Sequence, residues 1–503
     1  MARSEVKWGA LLSYALMILN STYGLVMVPF ILGAIGESEY GVFKTIGSMT
    51  SAISVIEVGV GGTLQRYIAK YRAQHEEEKS YNFSAMCVVQ AVVMAIIMVI
   101  VGAGLFFTIE PAYADSFTLA ELIRAKQIFV VLVCHVVIHS FENVLTGIIT
   151  GYNRFVFSNG MKLFILVLRI LIYIVILPIF KNSLAIVLTT LGLEFIVIFA
   201  EIFYVKTILK HRIKLYFWDK VVFRESFKYT FLMFITGIAA LINNNLDNVI
   251  VGAIEGTSAV SVYSMGLLIF NMFMNLSTVL SSLMLPTVAN VLQKDSGFED
   301  VQVIIVRVGR IQFMLLGAAL VGFTILGNYF IDLWLGEGYD DVYIITLILM
   351  IPALFELCVN VCLSVLRVKN MLGFRTGVLF TTTFLNAVVT VVGVKLFGYY
   401  AAAVGTAFSF LIGSVIIMNI YYCKKLSFRM PSIYKQIFSG TWICLFVAGI
   451  ATLFSSQIFT KGWIGFVLNV AVFGIVYAVT MLMFGLRTDE KKLIPFVGKF
   501  IKM

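Results

Sequence analysis

The sequence predicts an all-α polytopic membrane protein of about fourteen transmembrane helices: two six-helix lobes related by a parallel pseudo-two-fold repeat, plus two C-terminal helices. Three observations lead there. Of the 503 residues, 60% are hydrophobic and 13% charged, against about 25% charged in a soluble domain. Apolar runs of the ~20 residues needed to cross ~30 Å of hydrocarbon recur along the chain. Basic residues gather in alternate loops between those runs, and a short motif occurs after the first run and again after the seventh.

The runs cover 8–35, 41–64, 83–108, 124–149, 158–180, 183–209, 227–254, 260–286, 305–334, 342–366, 376–397, 400–422, 436–458 and 463–486. The first follows a basic flank, "MARSEVK", has no small-residue cleavage site and is expected to be a retained span rather than a removed signal peptide. The second carries Glu57, the fourth "HVVIHSFE", the fifth "ILVLRILIYIVIL" and the sixth Glu194. A mixed basic and aromatic stretch at 211–228 reads as a cytoplasmic interfacial linker. It separates an N-terminal lobe (1–210) from a second lobe (229–425). The seventh run contains "LINNNLDNVIVGAIEGT", a polar seam of Asn243, Asn244, Asn245, Asp247 and Asn248 in an otherwise oily span. The tenth run carries Glu356. Helices 13 and 14 (436–486) and a cytoplasmic tail (487–503), "KKLIPFVGKFIKM" at its end, complete the chain.

The charges test the count. With a cytoplasmic N-terminus, 30 of the 37 Lys and Arg fall in loops on the cytoplasmic side, Arg307 and Arg310 among them. Such asymmetry is the positive-inside rule, and one span more or fewer would destroy it. It puts both termini inside. It also accounts for the net charge of +10 through anionic lipid headgroups, without nucleic acid. No loop is long enough to fold as a domain. The six cysteines form no CxxC pair and read as small buried hydrophobes.

Residues 32–46 read "LGAIGESEYGVFKTI" and 251–265 read "VGAIEGTSAVSVYSM". The shared GAI sets Gly33 against Gly252, and a one-residue insertion sets Phe43 against Tyr263. Spans 1–2 thus correspond to spans 7–8. A repeat of six helices is parallel, related by an axis along the membrane normal, and transporters built so bind substrate between the halves. The 6+6+2 plan with these two motifs resembles the bacterial polysaccharide and O-antigen flippases of the multidrug/oligosaccharidyl-lipid/polysaccharide exporter superfamily. Leu32, Gly33, Glu39, Tyr40, Gly41 and Phe43 match that family's first-repeat pattern with one extra residue between.

The resemblance implies a cargo: an oligosaccharide on undecaprenyl diphosphate, moved from the inner to the outer leaflet of the bacterial cytoplasmic membrane by alternating access. Membrane lipids and other polysaccharide-assembly proteins are its expected partners. Ionisable groups at membrane depth are functional candidates by default. Arg169 has no partner near in sequence, and its planar fork suits a diphosphate. Lys44, Arg66 and Arg367 would extend that cationic path. Asn20, Asn243, Asn244, Tyr263 and Asn271 suit sugar hydroxyls, with helix–helix hydrogen bonding as the alternative.

His135, His139 and Glu142 lie at i, i+4 and i+7, on one helix face. This is not the HExxH arrangement, so no metal is expected. Together with Glu57 and Asp247 they are candidates for H+ or Na+ coupling, or for a structural polar seam. No cofactor is expected, and no phosphate loop is present to drive transport by ATP. Two other functions compete. A cation-coupled drug exporter of the same superfamily usually carries an acidic residue in span 1, and nothing acidic lies between Glu5 and Glu37. A membrane glycosyltransferase or polymerase needs a sizeable extramembrane loop with catalytic acids, which the sequence lacks. The reading is therefore a transporter rather than an enzyme.

Overall fold

The computed structural model describes residues 2–57, 59–282, 288, 290–292, 297–369, 371–459, 462–487 and 490; some helical side chains, including those of Asn243 and Asn244, lie outside the description, as does the tail from Lys491. The described residues are mostly helical, with no strand among them; the longest stretch without helix is the linker at 209–219. Twelve of the helical stretches are long and apolar enough to cross a membrane, and each coincides with an expected span. The two expected spans outside that set, 41–64 and 227–254, are helical as well. The first is broken by a 3₁₀ turn, and several side chains of the second lie outside the description.

By packing, the chain divides into two compact units, 1–261 and 262–503. The first comprises α1 (Ala2–Ile35), α2 (Glu37–Ser54), α3 (Val60–Ala73), α4 (Glu77–Tyr113), α5 (Leu119–Gly151), α6 (Phe155–Phe180), α7 (Ser183–Phe203), α8 (Lys220–Glu255) and the start of α9 (Thr257–Ser282). At its centre, α5 packs on α2, α3, α4 and α7. A capping box starts it: Thr118 accepts from the Glu121 N–H while Glu121 accepts from that of Thr118, satisfying donors the first turn leaves open.

Its far end carries Gly147 and Gly151, one helical turn apart, the small-residue spacing that lets backbones touch in membranes. A Cβ on Gly147 would stand 2.8 Å from the Gly61 carbonyl oxygen, and one on Gly151 would stand 2.9 Å from Ile68 Cβ. This contact seats α3 against α5. Span 2 reaches that position through a break. A single 3₁₀ turn, Val55–Glu57, ends α2, and Gly59 takes a left-handed φ of 103° before α3 begins. The break puts Glu57 beside the middle of α5.

The two GAI motifs lead into matching turns. Gly36 (φ 83°, ψ 165°) opens α2 and Gly256 (φ 87°, ψ −171°) opens α9. These are equivalent positions once the one-residue insertion is counted, in a region open to glycine almost alone. The turns interlock. Ser261 Oγ donates to the Glu37 carbonyl at 2.6 Å, Thr257 Oγ1 to Glu121 Oε1 at 2.7 Å, and Ser116 Oγ to the Gly252 carbonyl at 2.9 Å. A Cβ on Gly41 would collide with the Thr257 carbonyl.

In the second unit α10 (Gly297–Leu335) packs on α11 (Asp340–Cys358), which continues after a short break as α12 (Val361–Val368). Then come α13 (Leu372–Phe397), α14 (Tyr400–Ser409), a π-helical stretch Phe410–Ile417 and α15 (Met418–Leu426). The amphipathic α16 (Met430–Phe438), α17 (Thr441–Ile458) and α18 (Gly462–Thr480) also lie against α10.

Arg310 departs from the charge count. It sits inside α10 and is 1% exposed, rather than in a loop. Its guanidinium donates to both oxygens of Glu490 (2.6 and 3.0 Å) and to the carbonyls of Gln436, Ser439 and Gly485. Those bonds occupy its five donors, which is how so buried a charge is tolerated. Glu356 is likewise met by a cation, Arg375 at 3.6 Å. All six cysteines are free, four of them buried.

Candidate functional site

The most concentrated polar chemistry in the first unit lies where α5 meets α7 and the break in span 2. His135, His139 and Glu142 do share one face of α5, and that face is turned towards α7. His139 Nδ1 lies 2.9 Å from Glu194 Oε1 and 3.0 Å from Glu142 Oε2, and His139 Nε2 lies 3.8 Å from Glu57 Oε1. His135 Nε2 is 3.6 Å from Glu194 Oε2, and its ring stacks on that of His139 with centroids 5.9 Å apart. One turn further, Thr146 Oγ1 stands 3.0 Å from Glu142 Oε1 and 2.7 Å from Glu201 Oε1.

Counting charge decides what such a cluster needs. Four carboxyls (Glu57, Glu142, Glu194, Glu201) face two imidazoles, so even two imidazolium ions leave an excess of negative charge. Lys162 is an electrostatic neighbour of Glu201 and offsets one charge more. Glu57 and Glu201 are 7% and 2% exposed, and each keeps one buried oxygen without a hydrogen-bond partner among the described residues. The Thr146 hydroxyl carries a single proton for two carboxyl oxygens. Uncompensated charge at this depth is costly, so the arrangement has room for added positive charge, as protons or as a cation. Donor atoms of His139, Glu142 and Glu194 lie within 4.8 Å of one another, close enough to meet one ion. The His139 side chain is 38% exposed while Glu142 is 8% exposed, so access runs over His139.

Glu201 is the member that sequence reasoning missed. Its signal was available: Glu194 and Glu201 are seven residues apart on α7, matching the seven between His135 and Glu142 on α5.

Arg169 lies elsewhere in the unit, on α6. It continues the stripe of Ile165 and Tyr173, both buried, and is an electrostatic neighbour of Tyr23 on α1. It makes no ion pair or side-chain hydrogen bond with a described residue, and its Nε is buried without a partner. Most other candidates are dispersed. Lys44 sits over the Tyr40 ring at 5.2 Å. Arg66, Asn20, Asn271 and Arg367 are exposed, and Tyr263 is fully buried. Asp247 is 5% exposed, beside Asn248, whose amide donates to Ser48 Oγ at 3.0 Å. Within the seam, Asn248 therefore ties α8 to α2. Asn243 and Asn244 lie outside the described side chains.

Broken helices and ionisable groups at membrane depth are features that secondary transporters share. Solved structures agree at the level of fold. The lipid II flippase MurJ in an inward closed conformation superposes with a TM-score of 0.69 at 14% identity, over 94% of this chain and 98% of that one. An inward-facing multidrug resistance MATE transporter of the multidrug/oligosaccharidyl-lipid/polysaccharide superfamily gives 0.59 at 13% identity, over 81% and 95%.

The family described as polysaccharide biosynthesis protein matches residues 35–344, and the chain belongs to it. A probable flippase, AglR of Haloferax volcanii, is 28% identical over 176 residues, 34% of this chain and 36% of that protein. A putative O-antigen transporter of Salmonella typhi is 29% identical over 97 residues, 19% and 21% respectively. The matched segments thus span about a third or less of these relatives.

Proposed function

We propose that this protein is a flippase: it moves an undecaprenyl-diphosphate-linked oligosaccharide from the inner to the outer leaflet of the bacterial cytoplasmic membrane by alternating access, with both termini cytoplasmic. It performs no covalent chemistry. The observation that carries the reading is Arg169, a cation within a membrane helix that no described residue meets with an ion pair or side-chain hydrogen bond. A permanent charge is held there at a cost, and a diphosphate arriving from the membrane would offset that cost with paired hydrogen bonds. Family membership and the named functions of the two relatives support the same cargo class.

The His/Glu cluster supplies the coupling. Its need for added positive charge makes it the place where H+ or Na+ binds, with His139 as the accessible member and Glu57, His135, Glu142, Glu194 and Glu201 around it. Asp247 belongs to a separate seam.

The test is reconstituted translocation of a fluorescently labelled undecaprenyl-diphosphate sugar in proteoliposomes, with an imposed ion gradient. Wild type translocates it. Arg169→Ala abolishes translocation while protein levels stay near normal, and Glu194→Gln removes the gradient dependence. Full activity of Arg169→Ala would sink the assignment of the headgroup ligand, and absence of translocation by wild type would sink the cargo.

A further inference from the structure

The seam between α5 and α7 has a second side. The cluster residues occupy one face of each helix. Other residues of the same two helices (Phe141 and Leu145 on α5, Phe195, Phe199 and Ile202 on α7) line a groove of 1020 Å³. Its walls are apolar, and Phe199 is 69% exposed. The character changes abruptly at one end. There the helix loosens into a π-helical turn, Tyr204–Ile208, a feature frequent at functional sites. Lys206, Lys210 and Arg212 line the mouth, all three exposed. None forms an ion pair with a described residue, and no carboxylate lines the groove.

The dimensions identify the occupant. Eleven residues separate Phe195 from Lys206, about 16 Å of helix at ~1.5 Å per residue. That is about half of the ~30 Å hydrocarbon thickness, the depth of one leaflet. An oily slot one leaflet deep that ends in three unpaired cations matches a molecule with an acyl chain and an anionic head. We propose that this groove binds one anionic glycerophospholipid from the leaflet on the linker side, with an acyl chain along Phe141, Phe199 and Ile202 and the phosphate between Lys206, Lys210 and Arg212. A zwitterionic lipid would bring a cation to a cationic mouth. Free phosphate would leave the apolar walls unused. A polyprenyl carrier has a chain far longer than the slot.

The test uses the full-length protein in mild detergent, offered equimolar phosphatidylglycerol and phosphatidylcholine and read by native mass spectrometry. Wild type retains phosphatidylglycerol by roughly fivefold or more, given the contribution of each basic residue at a membrane surface. The combined variant Lys206→Gln, Lys210→Gln, Arg212→Gln loses the preference. In a second arm, Phe199→Trp places an indole in the groove, and brominated phosphatidylglycerol quenches it more strongly than brominated phosphatidylcholine. Equal retention of the two lipids, or selectivity surviving in the triple variant, overturns the proposal. So does displacement of phosphatidylglycerol by undecaprenyl phosphate or by millimolar inorganic phosphate, which would assign the site to those ligands. No step of the test requires translocation, so its failure is distinct from failure of the flippase reading.

Discussion

At the scale of single residues, burial and partners separate side chains that look alike in the sequence. Four histidines occur in the chain, and His211 has the most enclosed surroundings. It leads the linker, is 3% exposed, and its two ring nitrogens meet Ser84 Oγ at 2.9 Å and the Tyr152 hydroxyl at 3.0 Å. Burial, and then the Arg72 guanidinium nearby, push its pKa down from 6.5 to about 4. The sign follows from linkage. Between those two values the unfolded chain takes up a proton that the folded one refuses, so stability falls as pH drops from 6.5 towards 4 and is fully present above 6.5. The loss is at most about 3 kcal/mol. Thermal unfolding in detergent at pH 7.5 and pH 5.0 checks it: wild type loses stability at the lower pH, and His211→Gln loses much less. Equal losses would mean that other groups carry the effect.

The cluster teaches the same lesson from the other side. The i, i+4, i+7 spacing of His135, His139 and Glu142 was legible because a helix face is a property of local sequence. Their meeting with Glu57 and Glu194 was not, since it depends on which helices pack. Arg310 misled for a related reason. A lone arginine beside another basic residue has the pattern of a loop, and its carbonyl partners come from segments more than a hundred residues away.

At the scale of elements, the apolar runs give the helices, and glycines set where two helices touch. Among the described residues every expected span is helical over most of its length, because a stretch of about 20 apolar residues in lipid has no other way to satisfy its backbone. The break in span 2 was not legible. Neither Val55–Glu57 nor Gly59 announces a kink, and what makes it necessary is the seating of α3 on α5. Substitution tests that seating. Gly147→Leu forces a side chain against the Gly61 backbone and should destabilise by about 1–3 kcal/mol, the usual cost of overpacking. Gly160→Ala, on α6 with nothing within 4 Å of the added Cβ, should be neutral or slightly stabilising through helix propensity. Thermal midpoints of the two purified variants decide this. A Gly147→Leu protein as stable as wild type would show that the α3–α5 contact gives way easily.

At the scale of the whole molecule, the repeat was visible as three shared letters and a one-residue offset. The structure gives that faint identity a backbone meaning in Gly36 and Gly256. The turns they shape are fastened by Ser261, Thr257 and Ser116, and the alternating access proposed above would require that fastening to part. In a background freed of native cysteines, Glu37→Cys with Ser261→Cys should cross-link under mild oxidation and stop translocation, and reductant should restore it. Undiminished transport by the cross-linked protein would place the moving parts elsewhere.

Those paired glycines also bear on how the chain diverged. Two copies of an ancestral segment are free to exchange side chains wherever neighbours can adapt, and the polar seam of α8 has no counterpart in α1. A turn with positive φ leaves no such latitude, because almost any other residue strains it. Between 32–46 and 251–265 most side chains differ, while the pair of glycine conformations is shared. In distant members of such a lineage, common descent should stay readable longest at the hinges, where a single missing Cβ records it.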